Sequence, residues 1–247
     1  MMRTIVKAAL VAFGLSATPA LAQNLVTNGS FESDPLAPGA YRDMLVGSSD
    51  LPGWTIIGVP GTHISQVEQG YPGNPGYSFP AQDGAQWLDL AGYSDNAADG
   101  VSQTIATAVG STYMFSFWLG NVSGGAFGSQ TLVNYSFDGG STNFACLNTA
   151  STQTLSWLQC SQTFTATSTS AILRILNADP QSDFSSAIDN VSFVEVRGPG
   201  GAVPEPAAWG MLLGGFGIAG AAMRRRSWAA KAARAGAVVR FPKPLAI

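Results

Sequence analysis

Residues 112–119 read Thr-Tyr-Met-Phe-Ser-Phe-Trp-Leu, and their alternation decides the fold class. Successive side chains on a strand point to opposite faces, so Tyr113, Phe115, Phe117 and Leu119 share one side and Met114, Ser116 and Trp118 the other. The all-apolar set is a core face. The same parity, applied to 131–138, sends Val133, Tyr135 and Phe137 inward and Asn134 and Ser136 outward. In 86–90 it turns Leu88 and Leu90 inward and leaves Trp87 and Asp89 outward.

Further strand-like runs occupy 101–107, 154–165, 170–177 and 187–196, in a chain punctuated by Gly, Asn, Asp and Pro. Asp138-Gly-Gly140 is a tight-turn signal closing a hairpin. No convincing helix interrupts the series, and no internal repeat is present. Short strands separated by turns predict an all-β, antiparallel sandwich for residues 23–197.

Two tryptophans therefore share outward faces with acids and small polar residues. That composition suits a sugar platform, because a flat ring stacks on the apolar face of a pyranose while neighbouring polar groups bond its hydroxyls. The competing arrangement is a face packed beneath a loop or against a second sheet. A second candidate surface is the loop Tyr71-Pro-Gly-Asn-Pro-Gly-Tyr77-Ser-Phe79-Pro, whose prolines and glycines forbid regular structure. The candidate ligand-binding residues are Trp87, Asp89, Trp118, Asn134, Tyr71 and Tyr77.

The ends of the chain are addresses. Residues 1–22 have a charged start at Arg3 and Lys7, an apolar middle, and the small-x-small site Ala20-Leu-Ala22, the pattern of a secretory signal peptide. Between Pro206 and Arg224 lie seventeen uncharged residues, Ala207 to Met223, followed by Arg224, Arg225 and Arg226. As a helix this run spans about 25 Å, near the lower limit for crossing a bilayer core. Basic residues retained inside place 23–203 outside.

That exported segment holds fourteen acids against Arg42, Arg174 and Arg197, a formal net charge of −11. Such a field disfavours nucleic acid as a partner. Cys146 and Cys160 both lie in the exported part, where an oxidising compartment favours a disulfide over a metal pair lacking companions. A loop of that size contributes about 3 kcal/mol.

The order Pro204-Glu205-Pro206, Trp209, a Gly-rich apolar helix and the arginine cluster resembles the PEP-CTERM sorting signal of Gram-negative bacteria. The resemblance implies recognition by an exosortase, removal of the helix, and delivery to the cell surface or exopolysaccharide matrix. One departure is visible: that signal normally stops after the arginines, whereas here a basic tail fills out 224–247. The expected organisation is then signal peptide 1–22, β-sandwich 23–197, linker 198–206, transmembrane sorting helix 207–223 and tail 224–247.

Asn24-Leu-Val-Thr-Asn-Gly-Ser-Phe-Glu32, Leu51-Pro-Gly-Trp54, Trp87-Leu-Asp-Leu-Ala-Gly92, Val101-Ser-Gln-Thr104, Gly110-Ser-Thr-Tyr113 and Ile188-Asp-Asn-Val191, in that order, resemble the DUF642 and choice-anchor proteins. These belong with the galactose-binding-like jelly rolls, so the resemblance implies a jelly-roll sandwich and a leaning towards polysaccharide. In related binding modules the positions matching Glu32 and Asp189 often hold a structural Ca²⁺, and the resemblance makes them the candidate metal ligands. The alternative is that Glu32 caps a turn and Asp189 bonds backbone.

Other constellations fail. Asp95 to Gly100 has Asp at positions 1 and 5 and Gly at 6 of a calcium loop, but Ala97 and Ala106 hold positions 3 and 12, so a solvated turn is expected. His63 is the only histidine, which excludes a multi-histidine metal site, and nothing near it resembles a nucleophile elbow. A solvated or satisfied His63 is expected, and no enzyme. The expectation is an exported, surface-sorted sandwich that binds polysaccharide without catalysis; the alternative is a structural matrix or adhesion protein with no specific glycan.

Overall fold

The computed structural model describes residues 23–92, 96–180 and 186–197. The expected signal peptide, linker, sorting helix and basic tail lie outside these residues.

Eleven strands form two antiparallel sheets. The six-stranded sheet contains β1 (Tyr41–Leu45), β3 (His63–Glu68), β4 (Gln86–Asp89), β6 (Thr112–Asn121), β9 (Ser156–Thr165) and β11 (Ala187–Arg197), in the order β1-β3-β4-β11-β6-β9. The five-stranded sheet contains β2 (Thr55–Ile57), β5 (Gly100–Ala106), β7 (Thr131–Ser136), β8 (Phe144–Asn148) and β10 (Ser170–Asn177), in the order β2-β5-β10-β7-β8. Among the described residues there is no α-helix, only a 3-10 turn at Gly125–Phe127.

The core forms where the apolar faces meet. Phe115, Phe117 and Leu119 are wholly buried and Tyr113 nearly so, while Met114 on the opposite parity is 37 % exposed. Across the sandwich, Tyr135 lies with its ring centre 5.4 Å from Phe115 and 5.5 Å from Phe117, and Phe137 lies 5.3 Å from Phe115. Leu173 and Ile175 of β10 and Ile188 and Phe193 of β11 complete this layer. Burying a dozen large side chains at about 2 kcal/mol each is what opposes the ordering entropy of so many turns.

Cys146 of β8 and Cys160 of β9 are joined with their Cα atoms 6.3 Å apart, so the expected disulfide ties the last strand of one sheet to the last strand of the other. The Asp138-Gly-Gly turn does close a hairpin, between β7 and β8. Asp138 Oδ1 accepts from the amides of Gly140 and Thr142, and Gly139 and Gly140 both sit at positive φ, where a side chain is strained.

β1, β2, β3 and β8 do not stand out in the alternation, and for β3 the reason is physical. Its inward residues after Ile64 are Gln66 and Glu68, both buried. Gln66 Nε2 donates to the carbonyls of Phe31 and Asp34 and its Oε1 accepts from Arg42; Glu68 Oε2 accepts from the amides of Gly39 and Gly70. These side chains satisfy an N-terminal segment laid over this end of the sandwich, where buried backbone needs partners. A polar inward row hides the strand from an apolar pattern.

Candidate functional site

The outer face of the six-stranded sheet carries most of the candidate side chains. Strand registers place Asp43, Ser65 and Asp89 in one row across β1, β3 and β4, and Tyr41, Val67 and Trp87 in the next. On β6, Trp118 stands opposite Asp189 of β11 and Gln159 of β9.

The loop between β3 and β4 folds back over this face. Phe79 is buried with its ring 6.3 Å from Trp87 in a stacked arrangement, and Trp87 Nε1 donates to the Phe79 carbonyl at 3.2 Å. Trp157 Nε1 donates to the Pro80 carbonyl at 3.0 Å, and its ring meets Trp87 edge-on at 6.4 Å. A second apolar cluster of Val67, Phe79, Trp87, Val122, Leu155 and Ala187 results. Trp87 is thus on the outward side as its parity required, yet only 5 % exposed, because the Tyr71–Pro80 loop covers it. It does not offer an open platform.

Asn134 also departs from expectation. It lies outward on β7, in the five-stranded sheet, so it and Trp118 face away from opposite sides of the sandwich. Trp118 is half-buried, beside Ser116 and exposed Gln159 and Ser161. Tyr77 packs against Phe127 with ring centres 4.9 Å apart.

The most accessible aromatic on this face is one that strand alternation did not single out. Tyr41 is 41 % exposed and meets half-buried Tyr71 edge-on at 5.2 Å. One step along the same face of β1 is exposed Asp43, whose Oδ1 accepts from Ser65 Oγ at 2.5 Å and lies 3.9 Å from His63 Nε2. The His63 carbonyl lies close against Gly92, where an added Cβ would come within 2.2 Å of it.

Asp89 completes the row, with Oδ1 accepting from the Ala91 amide at 3.0 Å. Burial pushes its carboxyl up to about 7; the nearby Asp43 charge adds to this, and backbone donors and His63 oppose it. Near neutral pH such a carboxyl both donates and accepts hydrogen bonds, as a polyol hydroxyl requires. The signal for this patch was the alternation Tyr41-x-Asp43 and His63-x-Ser65, which the charged and polar inward residues of both strands obscured.

Glu32 and Asp189 both meet backbone amides. Glu32 Oε1 accepts from the amides of Ala85 and Gln86 at 2.8 and 2.7 Å. Asp189 Oδ2 accepts from Gln82 and Asp83 at 2.8 and 3.0 Å, and its Oδ1 from Asn190. Burial pushes the Asp189 carboxyl up to about 7, with Asp83's charge adding to the effect, against the pull of these backbone donors. Five amide hydrogens therefore point at three of the four carboxylate oxygens of Glu32 and Asp189. Among the described residues no three His, Cys, Asp or Glu side chains cluster as a metal site. Through these bonds the two side chains clamp the 82–86 turn, which is the arrangement set against calcium as the alternative.

The expected solvated turn at 95–100 is also corrected. Asp95 lies outside the described residues, but Asn96 and Asp99 are buried. Asp99 Oδ1 accepts from the Val59 amide, and Asn177 Nδ2 donates to Asn96 Oδ1 and the Ala97 carbonyl, knitting the turn to β10.

Comparison with known proteins gives two family-model matches. The model described as "Protein of unknown function (DUF642)" covers residues 24–194, and that of the PEP-CTERM protein-sorting motif covers residues 202–226. Among curated proteins, Protein DUF642 L-GALACTONO-1,4-LACTONE-RESPONSIVE GENE 2 of Arabidopsis thaliana is 28 % identical over 191 residues, 72 % of this chain and 47 % of that protein. The chain spans about half the length of this relative. Among solved structures, a family 16 carbohydrate-binding module aligns with TM-score 0.40 and 20 % identity, over 70 % of this chain and 100 % of that one. A carbohydrate-binding module in complex with beta-1,4-galactotriose aligns with TM-score 0.39 and 16 % identity, over 70 % and 99 % of the two chains.

Proposed function

The chain belongs to the DUF642 family and carries a PEP-CTERM sorting motif, and on that premise we propose that it is an exported, exosortase-sorted surface or matrix protein that binds polysaccharide without catalysis. Pro204, Glu205, Pro206, Trp209 and the arginines 224–226 fall within the matched motif and are the residues an exosortase and the membrane would read. Delivery to an extracellular matrix puts the domain among polysaccharides.

The observation that carries the binding reading is exposed Tyr41, edge-on to half-buried Tyr71, with Asp43, Ser65 and Asp89 in the next row of the same face. Tyrosine rings offer stacking area, and the neighbouring polar row of Asp43, Ser65 and Asp89 offers acceptors and donors. Trp118, with Ser116, Gln159 and Ser161 around it, forms a second aromatic position on the same face. One observation favours the structural-matrix alternative: Trp87, half of the expected pair of platform rings, is committed to packing.

Co-sedimentation of residues 23–203 with insoluble polysaccharides and with the host's own exopolysaccharide tests the reading. Saturable retention on at least one glycan, reduced by Tyr41→Ala and retained in a distant surface variant such as Thr104→Ala, is the expected result. Retention unchanged by Tyr41→Ala and lost in Trp118→Ala moves the site to β6. No retention by folded protein on any glycan sinks the binding reading in favour of the structural one.

A further inference from the structure

The six-stranded sheet ends at β9, and past the parallel bridge of Ser78 to Thr154 just before it that edge is unguarded. All ten residues Ser156–Thr165 pair one-to-one with Thr112–Asn121 of β6, without a bulge, and among the described residues no strand lies on the other side. A free edge displays a row of amides and carbonyls that templates pairing with another chain. Sheet proteins usually blunt such edges with charge, proline, bulges or shortness.

The other three edges of the sandwich follow that rule or are short. β1 has five residues, two of them charged, Arg42 and Asp43. β2 has three residues and β8 has five. β9, with ten, contains no charged residue, no proline and no glycine. Its outward side chains Gln159, Ser161 and Thr163 are exposed, and Leu158, on the core parity, is still 44 % exposed because nothing flanks it.

Charge decides which occupant fits. The exported segment carries −11 net, so two copies repel over most of their surface. β9, its neighbour β6, and all five strands of the second sheet contain no acid. A second copy can bring the same strand alongside without opposing carboxylates.

We propose that β9 is a self-association edge, where two copies of this chain pair antiparallel, β9 to β9, and continue the six-stranded sheet across the pair. Antiparallel pairing of a strand with its own copy is isologous and closes at two. Alternate residues of each strand supply the amides and carbonyls. The contact is small, at or below the roughly 1,200 Å² typical of weak complexes, so the pair forms at micromolar concentration and above, as dense surface display provides.

Sedimentation velocity of residues 23–203, which contain all the core residues of the sandwich, and of the full chain in detergent, is measured from low micromolar to submillimolar concentration. The expected result is a concentration-dependent dimer with amide exchange slowed along Ser156–Thr165. Ser161→Glu with Thr163→Glu, both solvent-facing, should weaken it by about tenfold or more. Ser161→Lys with Thr163→Lys lowers the net charge yet also charges the edge, so it must weaken the dimer too; a dimer lost only in the Glu variant reflects general repulsion and overturns the proposal. Leu45→Glu on β1 should leave association unchanged. A monomer throughout the concentration range, or a dimer that survives both double substitutions, also overturns it.

Discussion

Trp87→Ala separates packing from recognition more sharply than any other single change. The indole is 5 % exposed, stacked on Phe79, edge-on to Trp157, and donates to the Phe79 carbonyl. Removing about 200 Å² of buried aromatic surface at roughly 25 cal/mol per Å² costs about 5 kcal/mol. The general range for large aromatic-to-alanine changes is about 3 to 5 kcal/mol, and the orphaned Phe79 carbonyl adds about 1 more. For a domain of this size about 4 kcal/mol lowers the melting temperature by roughly 8–16 °C.

Because this cluster holds the 69–85 loop onto the sheet, part of the loss should emerge as local opening. The bonds Ser78 N to Gln153 O and Leu155 N to Ser78 O should exchange faster, as should the amide of Tyr77. Urea unfolding with hydrogen exchange checks both consequences. Trp118→Ala, at a half-buried position, should cost less than about 1.5 kcal/mol and leave the loop protected. A Trp87→Ala domain within about 0.5 kcal/mol of the parent, with an unchanged loop, would refute the argument that the loop rather than a ligand covers this ring.

Two further predictions concern titration and metal. Asp89 and Asp189 are both raised to about 7 by burial, so each binds its proton more tightly folded than unfolded. Their contribution is then most favourable below the unfolded value near 4 and is lost as pH climbs from there through about 7. The melting temperature should fall across this window and flatten above it, and Asp89→Asn should shrink the slope; a melting temperature that rises from pH 5 to pH 8 contradicts both assignments. Because backbone amides already engage three of the four Glu32 and Asp189 oxygens, calcium and chelator should leave the melting temperature equal, and calorimetric titration should give no saturable heat. Micromolar calcium binding abolished by Glu32→Gln would reverse that reading.

How much was legible in advance follows from how local each determinant is. The core strands were plain in 112–119, 131–138 and 170–177, since apolar burial on one face writes a period of two into neighbouring residues. β1 and β3 were not, because inward Gln66 and Glu68 serve the backbone of 31–39 and 68–70 while inward Arg42 bonds the Asp34 and Gln66 side chains, and polar inward residues look like loop. The disulfide needed only two cysteines and an oxidising destination. The aromatic patch at Tyr41 needed its strand to be found first.

The sequence by itself determined the sorting motif, the acidity, the sandwich class and the parity of its main strands, because each rests on residues adjacent in the chain. Only the tertiary structure decided what each outward face meets. Parity separates inside from outside but cannot say which sheet a strand joins, so Asn134 and Trp118 carried one label and ended on opposite sides of the sandwich. It cannot say what folds back, so Trp87 lies under its own preceding loop. Nor could it tell that Glu32 and Asp189 would meet amides of 82–86, since buried carboxylates take whichever positive partner the long-range path of the chain delivers.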